Sequence, residues 1–474
     1  MLFNSYPFLF LVLMTFILYY TPQFKKGQLY ILILSSFVFY GFHLPVLLLL
    51  LIISGSINAL SSYVVYYSKK LKTRKWAVTI GVAFNLLILI SFKYNGMLGD
   101  LVTANLALEK EWVDWFVLLP LPIGISFYTF QGISLLVDVY RQRRGDKEPW
   151  HIEIPQNFWQ HYRETLFFIA FFPQLIAGPI VKAHDFMPQI GMKYLKDIDW
   201  EYSFRLLVLG YFLKMVVADN LQNQTFWIGF YDIQSTLTLL VLMFDYSVQI
   251  FSDFAGYSLI AIAIASLFGY RLPQNFDFPY FSRSFGEFWK RWHMTLGLWL
   301  KEYLYIPLGG NRKGEIRNYF NLMVVMVLGG LWHGASVNYI AWGAYHGALL
   351  VGERMLGHVV VLPEYRWITV AKTLLVFSLV TLGWLFFQMD MEGFYALMHA
   401  MIHNVSLNHN MGILSMSFFY TLPVMLYYAN ALLSKEWTAY AKWVEPKLWV
   451  VYAFMLFAII FQSGNAGAFI YFQF

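Results

Sequence analysis

Long apolar runs alternate with short charged segments along this chain, and the pattern predicts membrane-spanning helices. A crossing helix needs about 20 mostly apolar residues, so a run of twice that length can cross twice. Treating the longest runs as helix pairs or broken helices predicts about 11 to 13 crossings. The runs with few or no charged residues are 7–21, 28–68, 76–92, 115–137, 165–181, 236–270, 318–352, 371–389, 412–432 and 448–474.

The run 318–352 contains no Asp, Glu, Lys or Arg, yet it carries Trp332-His333-Gly334 and, further on, His346. Burial keeps an imidazole neutral at physiological pH, the state in which it accepts a proton. Ionisable groups within a membrane are costly and mark pathways or sites. We therefore interpret His333 as a candidate catalytic base. A histidine that only bonds a carbonyl of the next helix is an equally open interpretation.

The segment 279–310 differs from the apolar runs because charged residues interrupt it. On a helix of 3.6 residues per turn, its aromatic residues and His293 share one face. We therefore predict one amphipathic helix with His293 on its apolar side. A helix lying in the membrane interface with snorkelling Lys and Arg explains the amphipathicity equally well, but not a buried histidine.

Four cations of this segment are candidates for binding a phosphorylated donor. Arg and Lys suit phosphate groups, and the positive-inside rule puts these residues near the cytoplasmic surface. Anchoring to anionic lipid is the alternative interpretation, and the sequence leaves both open. The cations are Arg283, Lys290, Arg291 and Lys301.

A polar stripe lies within the run 236–270. Its residues recur at helical spacing and therefore face one side of a helix, toward protein or water and not toward lipid. The stripe either lines a tunnel and binds substrate, through Gln249 and Asp253, or joins helices by hydrogen bonds. The stripe consists of Asp245, Gln249, Ser252, Asp253 and Gly256.

The composition supports a polytopic membrane protein: 59% of the residues are hydrophobic and only 13% are charged. Soluble domains carry about 25% charged residues. Three basic loops, 69–75, 141–147 and 312–317, are placed in the cytoplasm by the positive-inside rule, with the N-terminus and 93–113 outside. The net charge of +6 then reflects loops on an anionic membrane face, not nucleic-acid binding.

The first cations follow the first apolar run instead of preceding it, which argues against a cleaved signal peptide. The chain has no cysteine, which excludes disulfides and a cysteine nucleophile, and no metal site is predicted. The motifs of P-loop nucleotide hydrolases, zinc proteases and serine hydrolases do not occur. We expect a single membrane domain, 1–474, with N-terminal hairpins (1–110), a catalytic core (115–355) and C-terminal helices (365–474).

Five segments together resemble the membrane-bound O-acyltransferase family, most closely its bacterial branch that O-acetylates exported polysaccharides such as alginate or peptidoglycan. The combination of FWKRWH with WHG about forty residues later is specific, and the likeness covers about residues 1–390. In place of the family's final acid in one motif, this chain has Leu259. The segments are LPIGISFYTFQGIS, LIAGPI, FSDFAGYS, NFDFPYFSRSFGEFWKRWHMTLGLWLKEYLYIPLGGNR and GGLWHGASVNYIAWGAYHG.

The resemblance implies an all-α bundle around a central tunnel in the bacterial inner membrane, and acetyl-CoA as the acyl donor, with no bound cofactor. It implies that His333 matches the catalytic histidine of the family and His293 its second motif histidine. Trp332 and Trp299 are candidate substrate-binding residues, with packing as the alternative interpretation. The acetyl group is expected to reach a cell-envelope polysaccharide directly or through a periplasmic acetyltransferase partner. A proton-coupled transporter or flippase is the rival hypothesis, and a non-catalytic membrane scaffold is a third.

Overall fold

The computed structural model describes residues 1–95, 121–145, 150–176, 178–357, 363, 365–464 and 467. Within these residues the regular structure is helical and no β-strand occurs. Two π-helical segments, Phe212–Ala218 and Lys301–Tyr305, interrupt the α-helices. Most of the loop predicted at 93–113 lies outside the described residues, as do the beginning of the run 115–137 and the end of the run 448–474.

The α-helices are numbered here in chain order. They are α1 (Tyr6–Tyr20), α2 (Gln28–Gly41), α3 (Leu47–Tyr67), α4 (Leu71–Lys93), α5 (Ile125–Arg144), α6 (Phe158–Ala170), α7 (Phe172–Leu175), α8 (Ala183–Phe186), α9 (Trp200–Tyr211), α10 (Asp219–Thr225), α11 (Thr236–Leu267), α12 (Phe285–Arg291), α13 (Met294–Leu300), α14 (Glu315–His333), α15 (Val337–Gly357), α16 (Arg366–Gln388), α17 (Met391–His403), α18 (Met411–Glu436), α19 (Thr438–Val444) and α20 (Leu448–Phe461).

Six helical stretches of the described residues are long and apolar enough to cross a membrane: α3, α4, α11, α16, α18 and the stretch Thr438–Phe461. The helices Tyr6–Tyr20 and Pro22–Gly41 meet at a bend of 99° and add a seventh if they form one broken span. The chain is therefore a multi-pass membrane protein with an all-helical fold. The larger number of about 11 to 13 crossings stays a prediction.

The run 165–181 does not form one helix. α6 ends at Ala170, and α7 is a single turn that begins at Phe172 with Pro173 close behind. A proline removes a backbone hydrogen bond and ends a helix, and the residues here are buried. Such a break in a helix is tolerated within a membrane protein where it is buried in protein.

The described structure divides into two compact units. The first comprises Met1–Ser203 and Ala261–Pro273, and the second comprises Phe204–Ile260 and Gln274–Phe474. This division does not test the prediction of a single membrane domain, 1–474, which stays a prediction.

The first unit is held together by aromatic packing and by a few buried polar pairs. Phe171 lies 5.5 Å from Phe186, ring to ring, and Phe186 stacks on Tyr270 at 5.4 Å. Between α3 and α4, Asn58 and Asn85 exchange amide hydrogen bonds of 3.2 and 2.9 Å. Such paired amides satisfy each other where no water is within reach, and they fix the two helices against one another.

Candidate active site

His333 is the last residue of α14, where a short turn connects α14 to α15 in the second unit. The two helices pack closely because glycines face the opposite backbone. A Cβ at Gly330 would lie 2.1 Å from the carbonyl oxygen of Tyr339, and one at Gly343 would lie 2.4 Å from that of Met326. Small residues permit such close approach in membrane proteins. The hairpin therefore holds His333 at its tip, where the side chain is only 5% exposed.

Aromatic rings enclose the imidazole of His333. Its ring centroid lies 4.9 Å from that of Trp332, 5.2 Å from Trp342 and 5.2 Å from Phe387, each approached edge to face. In such low-dielectric surroundings hydrogen bonds and charges act more strongly than in water. The enclosure is an environment in which proton transfer to a histidine can be effective.

The structure corrects one prediction about His293, because the segment 279–310 is not one continuous amphipathic helix. After α12 the residue Trp292 is extended, and His293 is left-handed (φ 43°, ψ 53°) before α13 begins. Histidine adopts this conformation more readily than most residues. The turn is fixed by a residue that is distant in the sequence, because the Met294 N–H donates to the carbonyl oxygen of Asn275 (2.9 Å). His293 is nevertheless buried, as expected, with 2% exposure.

Asn275, which sequence reasoning did not single out, organises the surroundings of His293. Its Oδ1 lies 3.3 Å from His293 Nδ1 and accepts a hydrogen bond of 2.6 Å from Thr295 Oγ1. Its Nδ2 donates to Ser258 Oγ on α11 (3.0 Å). Phe254 packs edge-on against the imidazole at 4.7 Å. His293 lies outside the candidate membrane spans, and burial lowers its pKa to about 3, which keeps the ring neutral.

Trp332 brings the two sequence-predicted histidines to one place. Its ring centroid lies 6.1 Å from that of His293 and 4.9 Å from that of His333. Trp299 is also buried, and it packs against Tyr303 at 5.1 Å on the helix that follows His293. Two buried imidazoles beside one indole are the arrangement most suited to chemistry in the second unit.

His346, on α15, belongs to the same aromatic cluster. Its ring lies 5.1 Å from Trp289 and 5.0 Å from Trp342, and it is fully buried. Among the described residues neither ring nitrogen of His346 has a hydrogen-bond partner. A Cβ at Gly383 would lie 2.5 Å from His346 Nε2, so only glycine leaves room for the ring. His346 is thus a packing residue behind His333.

A carboxylate of α15 fixes the start of α12. Glu353 accepts the backbone N–H groups of Phe285 (2.8 Å) and Gly286 (3.0 Å), one with each oxygen. The first N–H groups of a helix have no partner within the helix, and a negative charge there also complements the helix dipole. Ser284 adds a cap by accepting the N–H of Glu287 (2.9 Å). Sequence reasoning missed Glu353, because it lies far along the chain from α12.

The four cations predicted to bind a phosphorylated donor fall into two groups. Arg283, Lys290 and Lys301 are exposed. Arg291 is instead held in ion pairs, 2.9 Å from Glu287 and 3.3 Å from Asp277. Glu287 and Arg291 stand at i,i+4 spacing, which brings their side chains together on one face of α12. The exposed three are the ones available to an anion.

The polar stripe of α11 is buried, and its two carboxylates and Gln249 are hydrogen-bonded to the helices beside it in the second unit. Gln249 accepts a hydrogen bond from Thr225 on α10 (2.6 Å), and Gln224 donates to Asp245 (2.7 Å). A Cβ at Gly256 would lie 2.8 Å from the carbonyl oxygen of Gly210, so the backbones approach closely there. Of the two interpretations left open by the sequence, these contacts favour interhelical hydrogen bonding.

Lys214 forms an ion pair with Asp253 of the stripe, and its role was not predicted from the sequence. Its Nζ lies 2.6 Å from Asp253 and 2.7 Å from Asp219, and all three side chains are buried. The pair Lys214 and Asp219 is five residues apart, a spacing that the π-helix Phe212–Ala218 places on one face. A single lysine within an otherwise apolar stretch was the available signal. Asp253 and Gln249 remain predicted substrate-binding residues, but both bond to neighbouring helices.

Comparisons with known proteins identify the family of the chain. The model of the MBOAT, membrane-bound O-acyltransferase family, matches residues 16–391. The chain is 35% identical to the probable alginate O-acetylase AlgI of Pseudomonas aeruginosa over 82% of its own length and 72% of that protein. It is 34% identical to the peptidoglycan O-acetyltransferase of Helicobacter pylori over 86% and 81% of the two chains. A teichoic acid D-alanyltransferase of Bacillus subtilis is 28% identical over 56% of this chain and 68% of its own length.

Proposed function

The chain belongs to the membrane-bound O-acyltransferase family and is an O-acyltransferase, and from that premise we propose that it moves acetyl groups from cytoplasmic acetyl-CoA to a hydroxyl of an exported cell-envelope polysaccharide. The observation that carries the proposal is the pair of buried histidines, His293 and His333, that both lie beside Trp332. Two of the relatives are named for acetyl transfer to alginate and to peptidoglycan, which supports a polysaccharide acceptor of that kind.

The reaction is general-base catalysis by His333. A neutral ring nitrogen of His333 takes the proton of the acceptor hydroxyl while the oxygen attacks the thioester carbonyl carbon. The tetrahedral intermediate collapses by breaking the carbon–sulfur bond, the proton passes to the leaving thiolate, and coenzyme A and the acetyl ester are the products. Base catalysis contributes about 10² to 10⁴-fold. Holding the thioester and the hydroxyl together among aromatic rings supplies the remainder.

The donor enters from the cytoplasmic side, where the exposed cations lie in this proposal. Arg283, Lys290 and Lys301 bind the phosphates of acetyl-CoA, because Arg and Lys form charge-assisted hydrogen bonds with phosphate oxygens. His293 orients the donor beside His333. The acetyl group passes either directly to the sugar hydroxyl or first to a periplasmic acetyltransferase partner.

Release of coenzyme A is the direct test. Purified protein in lipid nanodiscs is mixed with acetyl-CoA and a thiol reagent, with no acceptor, with a mannuronate oligosaccharide or with a peptidoglycan fragment. We expect thiol release that depends on one acceptor, together with an acetyl ester on that acceptor by mass spectrometry. Movement of a glycan or acyl precursor across liposomes without any thiol release would instead support the transporter hypothesis and refute this proposal.

A bacterial inner-membrane location with the N-terminus outside completes the proposal. The chain lacks cysteine, so single cysteines at Tyr6 and Thr73 can report which side each residue faces. Tyr6 is 89% exposed and, unlike Ser5, makes no capping hydrogen bond for α1. An impermeant reagent applied to spheroplasts should label the cysteine at Tyr6 and leave the one at Thr73 unlabelled until the membrane is opened. The reverse pattern would refute the orientation.

A further inference from the structure

The amide of Asn275 faces three polar side chains, and the roles of all four groups are linked. Thr295 Oγ1 donates to Asn275 Oδ1 (2.6 Å), and Asn275 Nδ2 donates to Ser258 Oγ (3.0 Å). His293 Nδ1 lies 3.3 Å from the same Oδ1. Asn275, Ser258 and His293 are each 2% exposed. Buried polar groups of this kind are costly unless they pair with one another.

The orientation of the amide determines which nitrogen of His293 carries the proton. An amide oxygen has lone pairs and no hydrogen, so a ring nitrogen beside it bonds only as a donor. A neutral imidazole has one N–H, and a proton on Nδ1 leaves Nε2 with a lone pair. The neighbouring rings of Phe254 and Trp332 carry no charge, and Trp332 is followed in the chain by the titratable His333.

We propose that Asn275 is a positioning residue that holds His293 as the Nδ1–H tautomer, so that Nε2 of His293 accepts a hydrogen bond from a substrate N–H or O–H. The inference deepens the proposed function, on which it rests, by assigning His293 a role. A neutral Nε2 without a hydrogen cannot donate to the oxyanion of the tetrahedral intermediate. It can orient an amide N–H of the donor's pantetheine arm or the acceptor hydroxyl.

Asn275 also fixes the direction in which the ring points. Its carbonyl oxygen accepts the N–H of Met294 (2.9 Å), which holds His293 in the left-handed region at φ 43°. A left-handed backbone is unfavourable for a non-glycine residue, so such a turn persists only where its surroundings determine it. One residue thus sets the backbone turn and the ring tautomer of His293 together.

The tautomer can be measured without any assay of activity. Protein labelled with ¹⁵N-histidine in nanodiscs is examined by NMR, and the His293 signals are identified by their loss in His293→Gln. We expect a directly bonded proton on Nδ1 and none on Nε2. Thr295→Val removes the other hydrogen bond to Oδ1 and should leave this pattern unchanged, whereas Asn275→Leu should give a mixture of tautomers. A proton on Nε2 in the unaltered protein would overturn the proposal.

Asn275→Asp tests whether the tautomer matters for catalysis. A carboxylate beside Nδ1 still accepts the hydrogen bond but stabilises the imidazolium, so the acid limb of the pH–activity profile should move up by about 1 to 3 pH units. Activity should recover at higher pH, where the ring is neutral again, which a merely unfolded variant would not do. An acid limb that does not move would overturn a role for the His293 lone pair. Absence of coenzyme A release in the unaltered protein would refute the proposed function and leave the tautomer measurement standing.

Discussion

Two buried polar regions of the second unit differ in what surrounds their polar atoms. Along α11, carboxylates and amides meet oppositely charged or hydrogen-bonding partners on adjacent helices, as Asp253 meets Lys214 at 2.6 Å. At the candidate active site, aromatic rings pack edge to face against the imidazoles of His293 and His333, and the Asn275 amide lies beside the ring of His293. From the sequence pattern alone, both regions would be described in the same way, as polar residues within a membrane.

The difference separates groups that hold helices together from groups that are suited to act on a substrate. Pairing a carboxylate with an ammonium group lowers the cost of burying both, so each group stabilises the other between helices. A neutral imidazole has modest desolvation cost and retains one acceptor nitrogen. The comparison therefore assigns the stripe to stability and the histidines to chemistry, and each assignment can be tested.

Replacement of His333 should give the largest effect on activity. His333→Ala should lower coenzyme A release by about 10² to 10⁴-fold, because the proton acceptor is lost. The amount of protein in the membrane and its thermal unfolding midpoint in detergent should stay close to those of the unaltered protein. His399→Ala, at an exposed histidine of α17, is the matched control and should keep full activity. Retention of more than about a tenth of the activity would contradict a role as base.

Replacement of Lys214 should mainly affect stability. Lys214→Met leaves Asp219 and Asp253 buried without their cation, and breaking a buried ion pair costs about 3 to 5 kcal/mol. The unfolding midpoint should fall, while activity per folded molecule should change little. Adding Asp219→Asn and Asp253→Asn should restore much of the stability, since no buried charge is then left over. Loss of turnover at unchanged stability would place the stripe in the reaction instead.

A pair of glycine variants tests whether the hairpin positions His333. In Gly330→Ala the new methyl group would meet the carbonyl of Tyr339 at 2.1 Å, and overpacking of this kind costs about 1 to 3 kcal/mol. Activity should fall with stability, because the tip of the hairpin moves. Gly352 is the control: nothing lies within 4 Å of a Cβ there, so Gly352→Ala should stabilise α15 by about 0.5 to 1 kcal/mol. Equal effects of both variants would argue against close packing.

Charge reversal at exposed cations should give the smallest effect. Lys290→Glu and Lys301→Glu should raise the KM for acetyl-CoA about two- to fivefold with little change in kcat, because exposed ion pairs are worth about 0.2 to 1 kcal/mol. The effect should shrink at high salt. Arg291→Glu serves as a contrast, since it breaks the pairs with Glu287 and Asp277 and should lower stability. An unchanged KM in both lysine variants would leave lipid anchoring as their role.

Hydrophobic periodicity predicted much of the helical fold because each apolar run is a local property of the chain. The run 236–270 became α11, and 28–68 is divided between α2 and α3. The turn at His293 was missed for the same reason. Its neighbours continue an aromatic face at helical spacing, without glycine or proline, and the residue that breaks the helix is Asn275, some eighteen positions earlier.

The candidate site was predicted in its histidines but not in their supports. His333 and His293 are conspicuous because an ionisable group in apolar sequence needs an explanation. Nothing in the local sequence marks Asn275, Glu353 or Lys214 as functional. Each acquires its role only from a partner that is distant in the chain. A single sequence contains no signal for such pairings beyond the rarity of a lysine in an apolar stretch.

The π-helix Phe212–Ala218 determines how the buried ion pair between Lys214 and Asp219 is aligned. In an α-helix each residue turns the side chains by about 100°, so residues five apart point about 140° away from each other. The wider turn brings Lys214 and Asp219 into line, with the Asp219 N–H donating to the Lys214 carbonyl. Deleting one residue between Lys214 and Asp219 would return the turn to α-helical winding, with the two side chains at i,i+4 spacing and still on one face. The wide turn is thus how this helix accommodates one extra residue without separating the buried lysine from Asp219.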